Sequence, residues 1–303
     1  MKAWIHIKPF VVRTIWIVLP IVLILATTEI LITKVPNEYS QKSHFLESNL
    51  DSIEVLIFGP SVTLRGVNPA YFDSPTYNAS LRGLDLELDE LVIRKALSHE
   101  NDVQHIILSI TFNDFHHKAR KLNASTLVYF SKYFGLPDLK LFISQERGIR
   151  LLGMIWKYYA HGEVMHTGIQ ENGFRVFPNK KPIFGKKAEK LAKSLNNQHP
   201  EYVASNIDHL KDIIDLCAQN DIHLTILNTP LHSSMRALLD QELVDELNEI
   251  CGKISGEYEH VHHLNWMDHP AFEDSDFQDP IHLYEHGATK LSKLLNIHIN
   301  QIE

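Results

Sequence analysis

Two short segments carry residue types that could do chemistry together. From Ser52 the chain reads SIEVLIFGPSVTLRG, an apolar run entering a Gly-Pro-Ser turn that presents Ser61. Far downstream lies Asp279-Pro280-Ile281-His282-Leu283. A serine hydroxyl is a weak nucleophile until a base takes its proton, and a histidine does this best when a third group orients its ring. Asp279 can bond one ring nitrogen of His282 and aim the other outward, with Pro280 fixing the turn between them. Singly, these pieces stay open. A serine after a strand is more simply a capping residue, and Asp279 reads equally as the cap of a helix start beside an exposed histidine.

Two further strand ends could supply the rest of such a site. Asn113-Asp114 follows the apolar run QHIILSI through Thr111-Phe112, and an asparagine amide there can donate to a developing oxyanion. As an isolated residue, Asn113 is more often a turn former. The turn NASLRG, Asn78 to Gly83, could add a backbone N–H to the same hole, or be a plain loop.

These residues need elements to hold them. Glu54 to Phe58, Thr76 to Asn78, Gln104 to Ile110, Ile222 to Leu227 and His260 to Leu264 read as strands. Leu84 to Leu97, Tyr202 to Ala218, Gln241 to Ile254 and Tyr284 to Ile299 read as amphipathic helices. That alternation implies a three-layer α/β/α domain around a central parallel sheet. Residues 52–303 form this domain, with 35–51 as a linker. From about 115 to 198 the alternation lapses into aromatic clusters (Tyr129, Phe130, Tyr133 and Phe134; Trp156, Tyr158 and Tyr159) and a Gly/Asn/Pro-rich loop. So long an interruption is expected to be an inserted cap over the C-terminal edge of the sheet, where α/β folds place their sites.

In all four blocks the chain resembles the SGNH (GDSL-like) hydrolase superfamily. FGPSVTLRG resembles its Gly-Asp-Ser-Leu block, NASLRG its Asn-x-Gly-x-x-Gly block, TFND its Gly-x-Asn-Asp block, and DPIHL its Asp-x-x-His block. The resemblance implies a flavodoxin-like sheet with Ser61 as nucleophile, His282 as base and Asp279 as its partner. It also implies an oxyanion hole from the N–H groups of Ser61 and Ser80 with the Asn113 amide. Pro60 stands where the family usually has aspartate, and Ser80 and Thr111 where it has glycine. The anchor described next is similar to that of extracytoplasmic members handling teichoic-acid D-alanylation and exopolysaccharide acetylation. The implied activity is an esterase or O-acyltransferase acting on cell-surface or exported polysaccharide, with an acylated glycan or acyl donor as substrate. A membrane O-acyltransferase is the implied partner. The alternative is a non-catalytic scaffold or binding subunit of a surface-polymer assembly.

Residues 1–34 are the expected anchor. Thr14 to Thr28 is uncharged and apolar, flanked by Phe10-Val11-Val12 and Ile30-Leu31-Ile32, with Arg13 and Glu29 snorkelling. Lys2, Lys8 and Arg13 precede it, which places the N-terminus in the cytoplasm and the remainder outside. A cleaved signal peptide is the rival, but no small-x-small site follows the apolar run.

The 303 residues carry a net charge of −8 without a basic run after the N-terminus, which excludes nucleic acid as a partner. Two cysteines, Cys217 and Cys251, exclude a disulfide framework, leaving buried thiols or a single bridge. Nineteen histidines include His116-His117, His161, His166, His260, His262, His263 and His269. They lack a His-Glu-x-x-His frame, and His262 and His263 would point to opposite faces of a strand. Neither metal nor cofactor is expected. The aromatic clusters are expected to pack the cap, with a glycan platform as the alternative.

Overall fold

The computed structural model describes residues 2–118, 124–137, 141–145, 148–163, 168–176 and 182–302. The chain separates into two compact units. One comprises residues 38–123 and 167–303 and contains the sheet; the other comprises 1–37 and 124–166.

In the larger unit five parallel strands run β1 (Val55–Phe58), β2 (Thr76–Asn78), β3 (His105–Ser109), β4 (His223–Asn228) and β5 (Val261–Asn265). Their spatial order is β2-β1-β3-β4-β5. β1 and the centre of β3 are continuous apolar runs because both faces are covered, and β4 is buried from Leu224 to Asn228. Val55, Ile57, Ile107 and Leu227 share one face and pack on Leu283, Leu291, Leu295 and Ile299. The last three belong to helix α12 (Glu285–Ile302). Leu56, Phe58, Ile106 and Leu108 alternate to the other face. There α9 (Pro200–Gln219) packs against β4 and against α4 (Leu86–Leu97). Helix α11 (Gln241–Glu257) buries Leu247, Cys251 and Ile254.

Residues 38–48, expected within a linker, form helix α2 (Glu38–Ser48). Its Tyr39, Lys42 and Leu46 are buried in the sheet-bearing unit. Cys217 and Cys251 are free and buried, and burial pushes both thiols up to about 12. No bridge joins them.

The smaller unit holds α1 (Lys2–Thr33), α5 (Ala124–Tyr133), α6 (Phe142–Gln145) and α7 (Gly148–His161). Within α1, Phe10–Thr33 is long and apolar enough to cross a membrane. Ile32 and Val35 pack with Val128, Phe142 and Leu151. Glu29 is held by Lys132 at 3.1 Å and by the Phe142 N–H at 3.2 Å. Residues 124–166 belong with α1, whereas 167–198 belong to the sheet-bearing unit.

Candidate active site

Strand order reverses between β1 and β3, and loops leaving the C-terminal ends of such strands form the crevice of this fold class. Ser61 leaves β1 there. Gly59 adopts φ +130°, and a Cβ on it would lie 2.8 Å from the Ser109 Cβ, so only glycine fits between the two strands. Pro60 then caps helix α3 (Ser61–Gly66), whose first residue is the serine. Ser61 is therefore not the capping residue. Its Oγ lies 3.0 Å from His282 Nε2.

His282 is oriented from its other side. Nδ1 lies 3.0 Å from each oxygen of Asp279. The carboxylate also accepts the N–H groups of Ile281 and His282, at 3.1 and 3.0 Å, and the Lys187 ammonium at 2.8 Å. Burial acts to raise the Asp279 pKa. The His282 hydrogen bond and charge, Lys187 and the Ile281 N–H outweigh it and hold the carboxyl well below the usual range. Asp279 is thus ionised and His282 carries its proton on Nδ1, leaving Nε2 to accept from Ser61. Residues 221 positions apart meet in this hydrogen bond.

Beside Ser61 lies a cavity of about 170 Å³. Leu84, Ile110, Phe112, Leu195, Leu231 and Met267 give it an apolar wall, and Asn113 and Thr111 a polar one. Asn113 Oδ1 accepts from the Thr111 hydroxyl at 3.1 Å, while its Nδ2 donates to nothing among the described residues. The Thr111 hydroxyl also lies 2.6 Å from Asp114 Oδ1, and its N–H donates to Asp114 Oδ2 at 2.6 Å. Burial raises the Asp114 pKa and the Thr111 bonds oppose it. The Thr111 hydroxyl thus joins Asp114 to Asn113 Oδ1 and leaves the amide nitrogen as the free end. The Ser61 and Val62 N–H groups, at the start of α3, likewise donate to nothing among the described residues.

Ser80 is not brought to this cavity. It is fully buried, and its N–H donates to Asn78 Oδ1 at 3.0 Å. The reason is a clamp: Asn78 Nδ2 donates to Thr63 O and Val67 O, tying β2 to α3. Beneath it Lys42 Nζ donates to Asn78 O at 2.7 Å and Ser80 O at 2.5 Å. Burial, opposed by Glu38, lowers the Lys42 pKa to about 7. The free N–H groups of the NASLRG turn lie further on. Gly83, at φ +72°, and Leu84 donate to nothing among the described residues, and Leu84 lines the cavity.

Lys187, on α8 (Lys186–Leu195), was not singled out by its sequence context, and neither was Lys42. Both act through partners distant in sequence, so no local pattern marks them. Of the histidines, His117 lines the cavity, His116 pairs with Glu246, and His166 lies outside the described residues. His262 and His263 point to opposite faces as expected, His263 bonding Asn228 at 2.7 Å. Glu90, His209 and Asp212 bring three potential metal-ligand atoms within 4.8 Å. The His209–Glu90 pair at 2.7 Å accounts for that grouping.

No family model matches the chain, and no curated protein matches it in sequence. Among the solved structures that align with the chain are two from bacteria. One is provisionally described as a platelet activating factor from Streptococcus pneumonia. It is 13% identical, with a TM-score of 0.49 over 94% of this chain and 98% of that one. The other, from Bacteroides fragilis, is provisionally described as an acylhydrolase. It is 10% identical, with a TM-score of 0.43 over 88% of this chain and 96% of that one.

Proposed function

We propose that the chain is a serine-dependent esterase or O-acyltransferase that works through an acyl-enzyme on Ser61. The observation that carries this reading is the continuous Ser61–His282–Asp279 hydrogen-bonded series at the mouth of an apolar cavity. Ser61 Oγ attacks the acyl carbonyl carbon as His282 Nε2 takes the hydroxyl proton. The tetrahedral oxyanion is met by the Ser61 N–H and Asn113 Nδ2, with the Leu84 N–H as the loop donor in place of Ser80. Collapse expels the alcohol, which leaves with the proton from His282. Water or a sugar hydroxyl then attacks the acyl-Ser61 carbonyl, giving its proton to His282, which returns it to Ser61 Oγ.

The apolar wall of the cavity suits a small acyl group better than a charged one. The apolar span Phe10–Thr33, preceded by Lys2 and Lys8 and with Arg13 in its first turn, supports a single-pass anchor with the N-terminus cytoplasmic and the sheet-bearing unit outside. On that reading the acyl acceptor or donor is a cell-surface or exported polysaccharide, and a membrane O-acyltransferase would supply the acyl group. A formed triad favours catalysis over the scaffold alternative. Ser61→Ala and His282→Ala are each expected to abolish turnover of a short-chain acyl ester or an acetylated glycan. Full turnover in either variant would sink the proposal.

A further inference from the structure

The second helical unit presents an apolar face that its own core does not use. Helix α7 buries Leu151 and packs Met154, Ile155 and Tyr158 against Ile32, Val35, Val128 and Phe142. On its outer side Ile149 is 88% exposed, Leu152 55%, Trp156 66% and Tyr159 50%. At about 100° per residue these four fall on one arc of roughly 80°. That arc continues the packed face, so apolar side chains run round more than half the helix. Arg150, Lys157 and His161 gather in a narrow stripe opposite.

A helix with two apolar faces and one basic stripe is stable in water only if something covers the second face. The structure shows what lies next to it. Tyr159 Oη reaches the Leu31 carbonyl at 3.4 Å, which sets the exposed edge of α7 against the C-terminal end of α1, beside the exposed Ile30. The span Phe10–Thr33 has 24 residues, about 36 Å of helix against a hydrocarbon core of about 30 Å. Its last turns therefore lie at head-group depth, where Glu29 finds Lys132. Trp and Tyr favour that depth, and Lys and Arg on the polar face of an interfacial helix point away from the acyl chains.

We propose that α7 lies in the membrane interface, its Ile149, Leu152, Trp156 and Tyr159 face in lipid, making this unit a monotopic collar beside the span. The proposal rests on α1 being a membrane anchor, and its occupant is the bilayer itself. Cys217 and Cys251 are fully buried, so a nitroxide label attached to the full-length chain goes to an introduced cysteine. The label is placed in turn at Leu152→Cys, Trp156→Cys, Lys157→Cys and Ile21→Cys. Each protein is reconstituted in vesicles of phosphatidylcholine and phosphatidylglycerol. Collision with oxygen should exceed collision with a water-soluble nickel chelate at 152, 156 and 21, with the reverse at 157. Water exposure at 152 and 156 with lipid exposure at 21 overturns the proposal alone, leaving the face for a protein partner. Water exposure at 21 as well overturns the anchor, and the proposal with it.

Discussion

Replacing Thr111 with valine tests whether its hydroxyl aims the Asn113 amide. The substitution keeps the shape and removes the 3.1 Å bond to Asn113 Oδ1 and the 2.6 Å contact to Asp114. A hydrogen bond of this kind contributes about 0.5–1.5 kcal/mol net. If that energy holds the amide in its donating orientation, the rate falls by about two- to twelvefold. Removing the amide itself, in Asn113→Ala, should cost about 10²–10³ in kcat. Thr111→Val should lower kcat and kcat/KM together, since an oxyanion contact exists only in the transition state. In the Asn113→Ala background it should cost nothing more, a coupling of about 1 kcal/mol between neighbouring residues. Thr111→Ser should restore the rate. The part-buried Asp114 oxygen left without its partner lowers stability by about 1 kcal/mol. Ester turnover is therefore measured well below each variant's melting temperature. Full activity in Thr111→Val, or an undiminished loss on top of Asn113→Ala, would refute the reasoning.

Three other perturbations have definite outcomes. Gly59→Ala places a Cβ 2.8 Å from Ser109 at φ +130°, adding about 1–3 kcal/mol of backbone strain before any clash; unchanged melting and activity would contradict it. Lys187→Ala removes a half-exposed partner of Asp279 and should lower kcat/KM about two- to fivefold. A loss beyond about 100-fold would mean that Lys187 meets the reacting atoms itself. Burial, with His223, His298 and His262 nearby, lowers the His105 pKa to about 3. The unfolded chain then binds more protons below about 6.5, so His105 leaves stability unchanged above that pH and removes it as pH falls towards 3. At pH 5 this amounts to about 2 kcal/mol. His105→Gln should shrink the drop in the urea midpoint between pH 7 and pH 5, and an equal drop in both proteins would refute it.

The central strands were legible because their apolar runs end in turn signals, as in VLIF before Gly59, whereas β2 (TYN) and β5 (VHHLN) showed mainly through the alternation of strands with helices. Ser61 and Asn113 stood out because each closely follows such an end, and β1 and β3 are neighbours in the sheet; Asp279 and His282 stood out by their Asp-x-x-His spacing. What stayed hidden depends on partners distant in sequence. Lys42 lies in a polar stretch that reads as a linker, and lysine is almost never fully buried unless paired; its partners are the carbonyls of Asn78, the last residue of β2, and of Ser80 just beyond it. The family resemblance of NASLRG implies Ser80 in the oxyanion hole, yet Asn78 takes that N–H for its clamp. In α7, Trp156, Tyr158 and Tyr159 look alike as cap packing. Only the fold separates Tyr158, which packs against the core, from the exposed Trp156 and Tyr159.

The reading stands or falls on Ser61 as a nucleophile activated by His282. Intact-mass and peptide analysis after exposure to a fluorophosphonate probe measures this directly. A single adduct on Ser61 is expected, formed far more slowly in His282→Ala and not at all in Ser61→Ala. A folded wild-type chain that stays unlabelled at Ser61, or that keeps its ester turnover after Ser61→Ala, would contradict it.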